Sequence, residues 1–195
     1  PETMPTAESS DAFRRRHGVS DSEILVLTVC RKSGEKRYDA IGKAVAQLAS
    51  NDVAIRLIGI GPDADGRPFD FQNCQWIGQQ TGDDLQAAYA ACDIFCLMSE
   101  SESFGMVIPE AWHHAKPVVV NARCLPAASL VDDGIDGVLA NTTELAAALK
   151  TLVDDCDLRL AMGKAGQKKA LAKYVRGAAA IRLLNALEAA PEAKT

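Results

Sequence analysis

The sequence predicts a three-layer α/β/α sandwich built around a parallel sheet. Six short apolar runs, such as Ile24–Val29, alternate along the chain with segments whose apolar residues recur at helical spacing. The run Ile24–Val29 is continuously apolar, which is typical of a parallel strand covered by helices on both faces. Alternating strands and helices favour right-handed βαβ units, and such units place the helices in two layers around one sheet.

The composition is that of one ordinary globular domain. The 195 residues are 48% hydrophobic and 24% charged, which suffices for one well-buried core. We expect a flexible lead at 1–8, a single domain at 9–190 and a tail at 191–195. The net charge of −5 argues against nucleic-acid binding or membrane-surface binding, because both need broad basic surfaces.

The sequence contains no recognisable membrane-spanning or secretory signal. No apolar run reaches the ~18–20 residues that span a bilayer, and residues 1–6 contain no signal-peptide core. The sequence therefore predicts a cytoplasmic location and no transmembrane segment. Peripheral attachment to the inner membrane through an upstream domain is left open.

The first half of the chain predicts a short polar helix followed by βαβ units. Gly18 ends the polar helix at 9–17, because glycine readily adopts the left-handed conformation that follows many helices. Strand Ile24–Val29 leads through a polar loop to an amphipathic helix at Tyr38–Ala49. The remaining elements expected here are strands at 53–60, 74–77 and 93–98 and a helix at 83–91.

The second half predicts shorter strands and then helices. A short helix begins at Pro109 and ends at Lys116-Pro117, since proline suits the first helical position but cannot continue a helix. From Thr142 onward the chain is rich in alanine and leucine, which favours helices with ionic outer faces. The other expected elements are strands at 118–120 and within 134–139, and helices at 126–131, 142–154, 157–174 and 178–190.

The six cysteines are scattered through apolar or strand-like segments. They form no CxxC pair, and no histidine lies at metal-ligand spacing from them. We interpret all six as reduced, buried thiols, because a free cysteine behaves as a small hydrophobic residue. His113 and His114 on the short helix are assigned structural roles. The sequence thus predicts no metal site.

A loop after the first strand, at 30–37, carries four cations in an acidic protein. On charge alone, a solvated loop would explain this cluster. Its position argues for a ligand, because loops at the carboxyl ends of strands in open α/β sheets form the binding crevice. The turn Gly59-Ile60-Gly61-Pro62 after the second strand is ambiguous, since it suits either a phosphate contact or a tight exit from the sheet.

The most informative stretch is 102–110, ESFGMVIPE, between the fourth strand and the short helix. Two carboxylates bracket a turn that contains glycine, and Glu110 falls in the first turn of the helix, where backbone N–H groups are free. Such N–H groups favour an anion, while the carboxylates accept hydrogen bonds from hydroxyls. A polyol joined to a phosphate would satisfy both kinds of group.

Together these features resemble the nucleotide-sugar-binding half of GT4-type retaining glycosyltransferases, over about 9–190. That family has the GT-B architecture of two facing Rossmann-like domains. The resemblance implies that this chain is the C-terminal domain, with an N-terminal Rossmann-like acceptor domain as its partner. The resemblance rests on Arg31 and Lys36, Gly59-Ile60-Gly61-Pro62, Ala91-Cys92-Asp93-Ile94-Phe95, the E-x7-E element with its Phe-Gly context, and Lys116-Pro117-Val118-Val119.

The resemblance also implies a role for each matching residue. Arg31 and Lys36 would hold the donor diphosphate and stabilise its departure, since charge-assisted hydrogen bonds to phosphate are strong. Glu102 would lie against the transferred sugar, and Glu110 would accept hydrogen bonds from the ribose. The further donor-binding residues are Ser103, Phe104, Gly105, Met106 and Val107, which form the turn and offer backbone N–H groups, together with Gly61 and Ile77.

Three single positions and one three-residue segment depart from the family pattern. Ala115 and Cys30 stand where glycine is usual, Ala127 where glutamate is frequent, and 122–124 replaces a glycine-rich turn. None of these departures removes a charged donor contact, so they bear on pocket shape and sugar preference. We expect Phe104 to anchor its turn by packing rather than to stack on a ligand.

The leading hypothesis is a retaining hexosyltransferase that uses a nucleotide-diphosphate sugar, such as a UDP or GDP sugar, without a metal or other cofactor. This domain alone is expected to transfer poorly or not at all. The alternative is a freestanding nucleotide or nucleotide-sugar binding module without catalysis. A dinucleotide oxidoreductase domain is weaker, because it would need GxGxxG directly after the first strand, where Arg31 and Lys36 stand. The base, the sugar and the acceptor are left open.

Overall fold

The computed structural model describes residues 7–174. The predicted helix at 178–190 and tail at 191–195 lie outside the described residues, as does most of the predicted lead at 1–8. Ala7 and Glu8 belong to the first helix, which therefore begins two residues earlier than predicted.

A six-stranded sheet in the order β3-β2-β1-β4-β5-β6 forms the centre of the fold, and every neighbouring pair runs parallel. This confirms the predicted fold class. The order changes direction between β1 and β4, so the carboxyl ends of these two strands flank a topological switch point. The strands are β1 Ile24–Val29, β2 Ile55–Ile60, β3 Cys74–Trp76, β4 Ile94–Leu97, β5 Val118–Asn121 and β6 Gly137–Ala140.

Helices cover both faces of the sheet. The helices α1, α3 and α4 pack on one face, and α2 and α6 on the other. Since successive strand side chains point to opposite faces, Leu25 and Leu27 of β1 join the first core and Val26 the second. The helices within the described range are α1 Ala7–Arg16, α2 Tyr38–Ala49, α3 Gly82–Ala91, α4 Val107–His113, α5 Leu125–Ala128, α6 Leu145–Asp154 and α7 Cys156–Lys173, with a 3-10 turn at Gly34–Lys36.

Helix α4 begins two residues earlier than the sequence predicted. Val107 is its first residue, so Pro109 is third rather than first. Proline is tolerated there, because the first N–H groups of a helix have no partner within it. Glu110 nevertheless lies in the first turn, as predicted. The predicted bounds of β2 and α6 were also too early, because turns precede Ile55 and Leu145.

All six cysteines are free thiols, and five of them are partly or fully buried. Burial raises the pKa of Cys30 to about 11. Cys156 is exposed, because it begins α7 on the outside of the domain. The prediction of a buried thiol is therefore wrong at Cys156. Between residues 7 and 174, no helix has the length and apolar character that crossing a membrane requires.

Candidate functional site

The candidate site lies at the switch point, where the loops after β1 and β4 meet. Lys36 Nζ lies 2.8 Å from Glu102 Oε1 and donates a hydrogen bond to the Ser101 carbonyl at 3.1 Å. Both charged side chains are 15% exposed, so the pair is neither fully solvated nor sealed off. Two residues identified from separate parts of the sequence are thus in direct contact.

A second pair of contacts joins the same two loops. Arg37 Nη1 lies 2.6 Å from Glu100 Oε1, and this hydrogen bond raises the pKa of the Arg37 guanidinium further. The backbone N–H of Glu100 donates to the Glu35 carbonyl at 2.8 Å. The loop after β1 is therefore held against the loop after β4 by side chains and backbone together.

Arg31 pairs with Glu35 rather than with Glu102. Its Nη2 lies 3.0 Å from Glu35 Oε1 within the same loop, and its side chain is 58% exposed. An exposed pair of this kind contributes little to stability, so the guanidinium can exchange Glu35 for another anion at small cost.

Lys32, like Arg37, is a cation of this loop to which the sequence analysis assigned no role. Its Nζ lies 2.8 Å from Asp63 Oδ2 and 3.4 Å from Asp65 Oδ1, and it also donates to the Arg67 carbonyl. The Tyr38 hydroxyl donates to Asp65 at 2.8 Å, and burial together with this bond raises the pKa of Tyr38 to about 12. The usable signal was the pair of aspartates after β2, since parallel neighbours end at the same edge of a sheet.

The Glu110 side chain is hydrogen-bonded to a residue of helix α3. The Tyr89 hydroxyl donates to Glu110 Oε2 at 2.8 Å. The Tyr89 ring stacks on His114, with 5.7 Å between ring centroids and 10° between planes, and His114 Nε2 lies 2.8 Å from Gln86 Oε1. Burial, reinforced by the charges of His113 and Lys116, lowers the pKa of His114 to about 4, so His114 is neutral at neutral pH.

The turn between the two carboxylates offers backbone donors. Among the described residues, no protein acceptor takes a hydrogen bond from the amides of 103–106. Gly105 has φ +63°, and a Cβ added there would approach Ile108 Cδ1 to 3.4 Å, so glycine suits this tight turn. Val107 continues the turn as the first residue of α4 and packs partly buried against the core.

The side chains of Phe104 and Met106 are 58% and 52% exposed. The expectation that Phe104 anchors the turn by packing is therefore wrong. The turn is instead closed by the hydrogen bond from Ile108 N–H to the Gly105 carbonyl at 2.9 Å, which leaves Phe104 free to face solvent.

Gly61 and Ile77 follow the carboxyl ends of β2 and β3. Gly61 has φ +142°, and a Cβ there would lie 1.9 Å from the Cys30 carbonyl oxygen, so the close approach of two backbones requires glycine. Its N–H donates to the Gly78 carbonyl and its carbonyl accepts from Trp76 Nε1, both at 2.9 Å. Ile77 packs partly buried against the core. Gly61 thus has a packing role, and ligand contacts at Gly61 and Ile77 stay predictions.

The fold and the site define a Rossmann-like α/β domain whose charged loops meet at the switch point of a parallel sheet, the usual ligand position in such sheets. Residues 9–169 match the family model described as "Glycosyl transferases group 1". The chain therefore belongs to the group 1 (GT4) glycosyltransferase family, which confirms the resemblance stated from the sequence.

Two relatives illustrate the match in sequence. D-inositol 3-phosphate glycosyltransferase from Corynebacterium kroppenstedtii is 30% identical over 174 residues, which cover 80% of this chain and 38% of that protein. Sulfoquinovosyl transferase SQD2 from Arabidopsis thaliana is 32% identical over 188 residues, which cover 93% of this chain and 36% of that protein. The chain thus spans less than half the length of these relatives.

Solved structures show the same relation in three dimensions. Anabaena HepE in complex with UDP-glucose gives a TM-score of 0.80 at 23% identity, covering 95% of this chain and 54% of that one. WaaG, a glycosyltransferase involved in lipopolysaccharide biosynthesis, gives a TM-score of 0.76 at 21% identity, covering 91% and 50%. The chain therefore has the fold of one half of a GT-B structure.

Proposed function

We propose that this chain is the donor-binding domain of a retaining hexosyltransferase that takes a nucleotide-diphosphate sugar as donor. The observation that carries the proposal is the Lys36–Glu102 contact of 2.8 Å at the switch point. A cation suited to a diphosphate and a carboxylate suited to sugar hydroxyls stand side by side there, as the two parts of such a donor do.

Lys36 and Arg31 would bind the diphosphate. Each has a carboxylate partner, Glu102 or Glu35, and each partner contact is only partly screened from water. A diphosphate arriving in the crevice would attract both ammonium and guanidinium groups. The same groups would then stabilise the charge that develops on the leaving diphosphate as the glycosidic bond breaks.

Glu102 would then face the transferred sugar and Glu110 the ribose. Glu102 accepts from Lys36, and Glu110 accepts from Tyr89 through Oε2. The unbonded amides at 103–106 would donate to the sugar or the phosphate, with Val107 completing the turn. Gly61 and Ile77 would border the nucleotide side of the crevice.

Mechanistically, the proposal includes retention of anomeric configuration through an oxocarbenium-like transition state. The positive charge that develops at the anomeric carbon would lie near Glu102. Lys36 and Arg31 would balance the leaving diphosphate, so the proposed reaction requires no metal ion.

The acceptor would be bound by a second domain. This chain spans 54% of HepE and 38% of the Corynebacterium relative, and GT-B architecture pairs two Rossmann-like domains. An N-terminal Rossmann-like domain would therefore supply the acceptor site. The 195-residue chain alone should bind donor or nucleotide and transfer sugar poorly or not at all.

The test is calorimetric titration of the chain with UDP, GDP and ADP and their common hexose conjugates. One base should be preferred, and Glu110→Ala should weaken binding of that ligand about 10- to 100-fold, because a hydrogen bond to a charged group contributes about 1.5–3 kcal/mol. Glu144→Ala, which removes a carboxylate beside α6, serves as the matched control and should not change binding. If no nucleotide binds, or if Glu110→Ala binds as tightly as the unaltered chain, the proposal is wrong.

A further inference from the structure

Glu110 has one hydrogen-bonded side-chain partner within the described residues, the hydroxyl of Tyr89. That bond, of 2.8 Å, goes to Oε2, and Oε1 has no protein partner in the described part of the chain. A carboxylate has acceptor sites on both oxygens. One oxygen of Glu110 is therefore fixed by the protein, while the other is available to a ligand.

We propose that Tyr89 is a positioning residue: its hydroxyl fixes the Glu110 carboxylate so that Oε1 meets the ribose hydroxyls of the donor. This inference rests on the proposed ribose contact of Glu110. Tyr89 itself does not touch the donor, since its side chain is fully buried behind Glu110. Its contribution would be to hold the acceptor oxygen in one orientation.

Tyr89 is well placed for this because its ring is packed against two other rings. It is completely buried, contacts the Phe95 ring at a centroid distance of 5.8 Å and stacks on His114 at 5.7 Å. His114 is fixed in turn by Gln86, one helical turn from Tyr89 on α3. The hydroxyl therefore comes from a rigid helix–helix contact rather than from a loop, which favours precise placement.

The direction of the hydrogen bond is also fixed. Burial and the negative charge of Glu110 raise the pKa of Tyr89 well above its ordinary value. Tyr89 therefore remains a proton donor at neutral pH, and Glu110 remains the acceptor. A neutral donor leaves the negative charge of Glu110 uncompensated, so the charge still strengthens hydrogen bonds from ribose hydroxyls.

The signature of this role is selectivity for ribose. Loss of the Tyr89 hydroxyl should weaken binding of a ribonucleotide. It should leave unchanged the binding of the deoxynucleotide that lacks the particular hydroxyl from which Glu110 accepts. A purely structural role would weaken both ligands equally.

The experiment measures Kd for the 195-residue chain with the best binder among UDP, GDP and ADP and with its 2′-deoxy and 3′-deoxy counterparts. For Tyr89→Phe we expect the ribonucleotide to bind roughly 3- to 10-fold more weakly, with one deoxy counterpart within about twofold of the unaltered chain. Tyr38→Phe is the matched control, because Tyr38 is also buried and donates to a carboxylate, Asp65, at 2.8 Å. Its ribose preference should stay unchanged.

Glu110→Ala, which leaves no acceptor at this position, separates this inference from the proposed function. If Glu110→Ala removes the ribose preference while Tyr89→Phe keeps it, Glu110 binds ribose but Tyr89 does not position it, and the inference is overturned. If Glu110→Ala also keeps the preference, the ribose contact itself is wrong and the inference falls with it. Thermal melting checks each fold, and Tyr89→Met gives the same comparison of ligands should the phenylalanine variant not fold.

Discussion

Lys32 and Lys36 belong to the same loop and lie four residues apart, yet their surroundings differ sharply. The Lys32 side chain is 3% exposed and faces two carboxylates, Asp63 and Asp65. The Lys36 side chain is 15% exposed and faces one carboxylate, Glu102, which is exposed to the same extent. One ammonium is enclosed by its own protein, and the other stands at the mouth of the crevice.

The difference separates a stabilising cation from a binding cation. A buried ammonium needs its partners, because removing one side of a buried pair leaves an uncompensated charge. A partly exposed ammonium with one partner can exchange that partner for a phosphate, since water and the ligand both compensate the change. We therefore expect Lys32 to control stability and Lys36 to control nucleotide binding.

The largest effect should come from Lys36→Ala. We expect binding of the preferred nucleoside diphosphate to weaken about 10- to 100-fold, because a hydrogen bond to a charged group contributes about 1.5–3 kcal/mol. The melting temperature should change little, because the Lys36–Glu102 pair retains access to water. Titration calorimetry and thermal melting of the same samples measure both quantities.

Lys43→Ala is the matched control for this prediction. Lys43 lies on α2 and forms an exposed pair with Asp39 at 3.0 Å, with its own side chain 67% exposed. Lys43→Ala removes the same charge as Lys36→Ala. Equal losses of binding in these two variants would therefore mean that only net charge matters. That result would refute a specific diphosphate contact at Lys36.

The second effect comes from Lys32→Met, which should lower stability but leave nucleotide binding nearly unchanged. Methionine fills the space of the lysine stem but leaves Asp63 and Asp65 without their cation, so the melting temperature should fall by several degrees. Nucleotide affinity per folded molecule should stay within about threefold, because the Lys32 ammonium is bound by residues of the loop after β2 rather than by the Lys36–Glu102 pair.

Replacing the whole group tests the reason for that loss. Lys32→Met combined with Asp63→Asn and Asp65→Asn should recover part of the melting temperature, since no unpaired carboxylate remains. If the triple variant melts no higher than Lys32→Met, the loss comes from packing instead. If Lys32→Met weakens binding as much as Lys36→Ala, the two cations do not have separate roles.

The fold could be predicted from the sequence because its signals are local. All six strands overlap the segments predicted as strands, because the central strands such as β1 and β4 are buried on both faces and therefore continuously apolar. Errors occurred at element ends, where tertiary contacts decide. Pro109 is the clearest example, because the first residue of α4 is set by the tight turn at Gly105 rather than by proline.

The site was less predictable, because its contacts join distant parts of the chain. The pattern identified Lys36 and Glu102, and the structure brings these two together. It did not identify Lys32 or Tyr89, whose partners lie far along the sequence on other elements. The expected packing of Phe104 was wrong because the burial of a loop aromatic residue depends on neighbours in space, which the sequence pattern does not identify. Ligand roles for the site residues remain predictions.

The departure from the family pattern at Ala115 has a physical cost that can be measured. Ala115 has φ +54°, just after the end of α4, where glycine commonly ends a helix. A residue with a Cβ in this left-handed region destabilises the folded state by roughly 1–2 kcal/mol, and glycine avoids this strain. Glycine in turn makes the unfolded chain more flexible, which lowers the free energy of unfolding by about 0.4–1 kcal/mol.

Ala115→Gly should therefore stabilise the domain by up to about 1 kcal/mol, the smallest of the three effects, without changing any charge. Chemical denaturation measures the free energy of unfolding, and Ala161→Gly is the control of opposite sign, since Ala161 is an exposed interior residue of α7 and should lose about 1 kcal/mol. Nucleotide affinity should stay the same in both variants. If affinity rises with Ala115→Gly and falls with Ala161→Gly, the measured affinity depends on the folded fraction of the protein. A loss of binding in the Lys36 variant could then come from lost stability, and the proposed division of roles between Lys32 and Lys36 would not hold.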